Sequence, residues 1–350
     1  MSIITSIAVG LVTIAVFVFA YFKYSFNYFK SRGIKTLEPS FPFGNIRGFG
    51  RKIHPSIALK NVYDKFKGTE RVCGMYFFLR PVVVILDLAL VKNVLIKDFS
   101  NFVERGLFYN EEDDPLSAHL FSIDGKKWKQ LRAKLTPTFT SGKMKFMFPT
   151  VVEVGDRFRE CLSEVISNNE VLEIKELLAR FTTDVIGTCA FGIECNSLKD
   201  PNAQFRNMGR LAFGAPRHST LFNILLGGFK DFARKLHIKN IRDDVSEFFM
   251  GVVKDTVEYR EKNNISRNDF MDILIKLKNE ENVDEKLGKL TLNEIAAQAF
   301  VFFLAGFETS STTLTFCLYE LALNPEIQKK PDKSFTKHSK IMMENSHTKQ

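Results

Sequence analysis

Tryptophan occurs once in this 350-residue sequence, and cysteine only five times. Cys73, Cys161, Cys189, Cys195 and Cys317 are odd in number and widely scattered, and no two have the spacing of a zinc or redox motif. That excludes a disulfide scaffold and reads the thiols as small core residues of a reducing compartment. Internal repeats are lacking. A second long hydrophobic run to match the one at the N-terminus is lacking too, which excludes a transporter or multi-span receptor. Basic residues are not interleaved with exposed aromatics, so nucleic acid is excluded as a partner.

What the sequence has in excess is phenylalanine, 35 residues of 350. That bulk suits either a Phe-rich core or an apolar pocket for greasy ligands. At 45% hydrophobic and 25% charged, the composition is that of a globular protein. Lys and Arg number 49 against 40 Asp and Glu, a net charge of +9 that favours anionic partners.

Residues 2–22 carry no charge and are dominated by Ile, Val, Ala, Leu and Phe, while Lys23, Lys30, Arg32 and Lys35 follow directly. About twenty such residues span a bilayer core of about 30 Å. Positive charge after the span keeps the rest of the chain on the cytoplasmic side. Residues 1–22 therefore read as an uncleaved transmembrane signal-anchor, and residues 23–50 as a basic, proline-rich hinge.

Beyond the hinge, apolar spacing predicts a helix over 55–67 and a hairpin of 71–79 and 82–86 joined at Arg80-Pro81. A short helix follows over 88–96, then a long loop over 101–124. Helices are expected over 125–136, 142–166, 174–190, 242–263, 269–279 and 291–323, with helical tendency but no clear ends between 202 and 241. The fold class is mainly α with a small β hairpin near the N-terminus and an N-terminal transmembrane helix.

Two constellations bear on chemistry. The helix from Thr291 opens on a capping box with Glu294 and is apolar on almost every face as far as Glu308. In its middle Gly306 weakens the helix, and Thr309 can bond back to the Ala305 carbonyl. Glu308 and Thr309 then set an acid beside an alcohol in a dry core, a pair able to relay protons to a ligand. A packing glycine, a back-bonded Thr and an ion-paired Glu would look the same. The second constellation is Trp128 and Arg132, four apart on one helix face, two donors suited to a carboxylate or phosphate. A cation–π contact on a solvated helix would also explain them.

Taken together, the motifs resemble the cytochrome P-450 family of haem-thiolate monooxygenases, in its insect microsomal toxin-metabolising branch. The carriers are Pro42-Phe43-Gly44-Asn45, Asp113 to Phe121, Lys127 to Arg132 with Leu135 to Lys143, Thr183 to Gly187 with Ala190-Phe191-Gly192, and Ala305-Gly306-Phe307-Glu308-Thr309. The resemblance implies that Trp128 and Arg132 hold a haem propionate. It also implies that Ala305, Gly306, Glu308 and Thr309 form the catalytic oxygen groove, Glu308 and Thr309 delivering protons. Leu120, Phe121, Val301 and Phe302 would touch a hydrophobic small-molecule substrate. An NADPH-dependent reductase would dock on the lysine-rich helix, and the anchor would sit in the endoplasmic reticulum membrane.

The family's Phe-x-x-Gly-x-Arg-x-Cys-x-Gly segment, which supplies the axial Cys ligand of the iron, and the Glu-x-x-Arg helix before it do not occur in these 350 residues. The expectation is therefore an incomplete, C-terminally truncated cytochrome P-450 fold over 51–329, with no metal ligand of its own and doubtful haem binding and activity. Residues 330–350 read as a non-homologous, disordered polar tail. The alternative reading is a non-catalytic membrane protein that sequesters the reductase.

Overall fold

The computed structural model describes residues 3–48, 52–168, 172–267, 269–279 and 289–328. The expected tail over 330–350 lies outside these residues. The chain divides into two compact units, one from Met1–Phe108 with His218–Leu236, the other from Tyr109–Arg217 with His237–Gln350.

In the first unit, α1 (Ile3–Ser25) buries no side chain. Its length and composition suffice to cross a membrane. The chain then turns back on strand β1 (Val72–Phe77). The Asn45 amide N–H donates to the Tyr76 carbonyl at 2.8 Å, and the Tyr76 N–H donates to Asn45 Oδ1 at 2.7 Å. The buried Tyr76 hydroxyl donates to the Phe26 carbonyl at 2.8 Å and accepts from the Phe29 N–H.

β1 pairs antiparallel with β2 (Arg80–Ile85), with Met75 opposite Val82. The hairpin forms as expected, but its turn is Phe78-Leu79. Arg80 and Pro81 stand inside β2, and Phe78 takes φ +54°. Among the described residues β2 pairs with β1 alone in this two-stranded sheet, so a residue without an N–H is tolerated on it. Helix α2 (Pro55–Phe66) covers the sheet with Val62 and Phe66, against Cys73 and Met75. Helices α3 (Leu88–Lys92), α8 (Thr220–Gly228) and α9 (Lys230–Lys235) complete the unit.

The second unit is helical. It holds α4 (Gly125–Leu135), α5 (Ser141–Ser167), α6 (Ile174–Ile186), α7 (Gln204–Gly214), α10 (Asp243–Asn263), α11 (Phe270–Asn279) and α12 (Leu292–Leu323). Its core is where much of the Phe excess goes. Phe191, Phe205, Phe249, Phe300, Phe303 and Phe307 are buried together, and the Phe205 and Phe303 rings lie 5.1 Å apart, nearly perpendicular. Such edge-to-face pairs add to the burial of area.

The motif Thr183 to Gly187 also has a structural reason. Asp184 is buried and accepts from the N–H groups of Ser197 and Leu198, closing the turn after α6. Gly187 leaves room for the Cys195 sulfur, which a Cβ would strike. Nearby, Gly192 takes φ +66° beside the buried Arg260–Asp269 ion pair.

Candidate functional site

Helix α12 opens with the expected capping box: Thr291 Oγ1 accepts from the Glu294 N–H, and Glu294 Oε2 accepts from the Thr291 N–H. Ile295 to Phe300 are buried without interruption, followed by Phe303, Phe307 and Ser311 at helical spacing. By length and composition alone α12 also suffices to cross a membrane, but this buried stripe makes it the central core helix of its unit. Toward its end Leu314, Phe316, Leu318, Tyr319 and Leu323 are exposed.

Helix α6 presses on the middle of α12. A Cβ on Gly306 would stand 2.8 Å from Ile186 Cδ1, so the missing side chain lets the two helices close up. Thr182 Oγ1 donates to the Phe307 carbonyl at 2.9 Å. On the next residue, Glu308 accepts from the Lys175 ammonium at 2.8 Å. The Thr309 hydroxyl donates to the Ala305 carbonyl. The reading of a dry setting for this acid and alcohol is corrected here: Ala305 and Thr309 are exposed, and Glu308 is partly so. Past Gly306, the described residues cover only the face carrying Phe307 and Ser311.

Val301 and Phe302 are half-buried one turn before. The Phe302 ring packs on Phe270 at 4.3 Å and on Phe139 at 5.1 Å, so the segment after α4 reaches the Thr309 side of α12. The long loop before α4 carries the half-buried Leu120 and the exposed Phe121. Leu120 is fixed by a residue the sequence reading passed over: its N–H donates to Oε1 of Gln298 at 2.8 Å.

On α4, Trp128 is half-buried against the main core and Arg132 is exposed. Among the described residues the Arg132 guanidinium has no hydrogen-bond or ion-pair partner. It is a free donor at the surface and does not serve a buried acid. The opposite side of α4 is basic, as expected. Lys126, Lys127, Lys134 and Lys289 line a cleft of about 400 Å³ with Glu294, and Lys127 pairs with Glu111 and, at 3.7 Å, with Glu294. Burial pushes the Lys134 ammonium below its ordinary range.

Near its start α4 meets α12 at Glu294, 3.7 Å from Lys127, and the segment after α4 meets it again at Phe302 through Phe139. At its periphery a haem needs donors for its propionates, and the unpaired Arg132 with the indole of Trp128 fits that need. The iron needs a thiolate, and no described cysteine fits. Burial raises the Cys73 thiol, pushes Cys189 up to about 11, and raises Cys195 further. Cys317 is exposed on the last turns of α12. Among the described residues no group of three or more His, Cys, Asp or Glu side chains could hold a metal ion.

The family model described as Cytochrome P450 matches residues 37–335. Among curated proteins, Cytochrome P450 6A1 of Musca domestica is 51% identical over 306 residues, which is 87% of this chain and 60% of that relative. Cytochrome P450 6a9 of Drosophila melanogaster is 50% identical over 86% of this chain and 60% of its own length. Probable cytochrome P450 6a21 of the same fly is 47% identical over 94% of this chain and 66% of its length. The chain thus spans about 60% of the length of the first relatives it matches.

Proposed function

From the membership of this chain in the cytochrome P450 family, we propose that it carries the oxygen-groove helix and the propionate side of a membrane-bound monooxygenase. The complete enzyme would oxidise hydrophobic small molecules with dioxygen and electrons from a reductase. Bound haem supplies the activation of dioxygen and the transfer of one oxygen atom. The observation that carries this reading is the middle of α12. There Gly306 is closed on Ile186, Thr309 is bonded back to Ala305, and both Ala305 and Thr309 look out from the helix.

Each residue then has a task. Trp128 Nε1–H and the Arg132 guanidinium donate to a propionate. Thr309 Oγ1 holds a proton on the Ala305 carbonyl, from which it can turn outward. Glu308, held by Lys175, exchanges protons with solvent, for which its partial exposure is suited. Phe302, Val301, Leu120 and Phe121 supply an apolar surface for substrate. The lysine cleft beside α4 suits an acidic reductase, whose approach it would steer. α1 anchors the chain in the endoplasmic reticulum membrane, with the rest on the cytoplasmic side.

Among the described residues no cysteine stands in a ligating setting, so we propose that the chain is inactive by itself, over a partial catalytic domain at 51–329. The test is a haemin titration of the full chain in detergent micelles, read by quenching of its single tryptophan, Trp128. Arg132→Ala should weaken the affinity about tenfold, the size of a charge-assisted hydrogen bond. An unchanged affinity would remove Arg132 from the site.

The basic cleft favours one second reading, a non-catalytic protein that occupies the reductase. Added to a complete family member, the chain would then lower reductase-dependent turnover in proportion to its amount. No loss of turnover would end that reading.

A further inference from the structure

Gln298 is the one side chain between Ile295 and Leu304 that can hydrogen bond, and it is completely buried. Both ends of its amide are used. Oε1 accepts from the Leu120 N–H at 2.8 Å, and Nε2 donates to the Glu294 carbonyl at 3.2 Å. Its orientation is thereby set, because a flipped amide would turn its NH2 toward another donor. A buried polar group in an otherwise apolar helix stretch costs free energy unless it is satisfied, and here the satisfaction comes from the loop before α4.

That loop is pinned a second time. The buried Asp114 accepts through Oδ2 from the N–H groups of Asn240 and Ile241, at 2.8 and 2.9 Å. The loop therefore runs from a fixed point at Asp114 to a fixed point at Leu120, with the exposed Phe121 next in line. A shift of Leu120 along α12 would break the bond to Gln298 and carry Phe121 with it.

We infer that Gln298 is a positioning residue that sets the shape of the apolar ligand site by holding Leu120 and Phe121 at a fixed level of α12. The inference rests on the proposal that these two residues contact the hydrophobic substrate. Gln298 itself, buried behind Leu120, acts through the loop.

The test uses the full chain in detergent micelles with Gln298→Met, which keeps the size but loses the acceptor, and Gln298→Glu, which keeps an acceptor. Hydrogen exchange reads the tie itself. The Leu120 amide should exchange about tenfold faster in Gln298→Met, which is the scale of one buried hydrogen bond, and should recover in Gln298→Glu. Ligand shape is read with biphenyl and phenanthrene, through quenching of Trp128. The ratio of their two dissociation constants should change at least about threefold in Gln298→Met and return in Gln298→Glu.

Unchanged exchange at Leu120, or acceleration spread equally through α10 and α12, overturns the proposal. So does a faster Leu120 amide with an unchanged ratio, since the tie would then have no bearing on ligand shape. If neither hydrocarbon binds the unaltered chain while its Leu120 amide is protected, the substrate-contact reading fails, and the positioning role falls with it.

Discussion

The Lys175 ammonium donates to the Glu308 carboxylate at 2.8 Å, joining α6 to α12 one residue before Thr309. The two side chains are 46% and 30% exposed, so the bond orients the acid more than it stabilises the fold. Exposed pairs of this kind contribute roughly 0 to 1 kcal/mol. Lys175→Met should lower stability in urea by less than about 1 kcal/mol, and the difference should vanish in about 1 M salt, where the screening length is about 3 Å. A larger, salt-resistant loss would contradict this weak, solvent-screened pair.

Gly306 tests the closeness of the same two helices. An Ala there gains about 1 kcal/mol of helix propensity but forces its Cβ against Ile186, an overpacking that costs about 1–3 kcal/mol. Gly306→Ala should therefore be destabilised, by up to about 2 kcal/mol. Ile186→Val in the same chain removes the nearest atom and should recover part of the loss. A Gly306→Ala chain about 1 kcal/mol more stable than the unaltered one, the full gain in helix propensity, would mean that α6 and α12 do not meet at this position.

Asp184 closes the turn after α6 with two buried backbone donors, Ser197 at 2.7 Å and Leu198 at 3.2 Å. Asp184→Ala leaves both N–H groups without an acceptor, at about 1–3 kcal/mol each. A loss of about 2–4 kcal/mol in a urea titration is expected, with a smaller one for Asp184→Asn. A loss within about 0.5 kcal/mol would show that water replaces the carboxylate.

Asp114 gives a pH dependence. It is buried, its Oδ1 has no hydrogen-bond partner among the described residues, and burial is the largest cause holding its carboxyl above the ordinary range. A raised folded pKa means that the folded state binds the proton more tightly than the unfolded one. The contribution is therefore fully present below the unfolded value of 3.8 and is lost as pH rises through the folded value. Asp114→Asn, which cannot ionise, should gain stability relative to the unaltered chain as pH is raised from 3 to about 7. A gain on lowering the pH instead would mean that the carboxylate is stabilised in place.

Much of the fold was legible because local signals carried it. The capping box at Thr291, the apolar spacing of α10 and the glycine at 192 mark their own places. The ends of α7, α8 and α9 were not, because an apolar run such as Leu225-Leu226-Gly227-Gly228 fits helix or turn equally. The hairpin turn was misplaced because Phe78 takes a left-handed conformation that no glycine announces.

In the candidate site, Ala305 to Thr309 were legible from an odd composition inside an apolar helix. Their neighbours were not. Lys175 stands 133 residues from Glu308 and Gln298 stands 178 from Leu120, contacts that only the folded chain makes. Gln298 did leave one signal, a lone amide in an apolar stretch.

We propose that Trp128 and Arg132 hold a haem by its propionates while no described cysteine offers its iron a thiolate. The most direct measurement is the Soret band of the haemin-loaded full chain after reduction and addition of carbon monoxide. The account predicts a carbon monoxide complex without the thiolate-type Soret shift. A thiolate-type shift, with any turnover of a hydrophobic substrate, would contradict it.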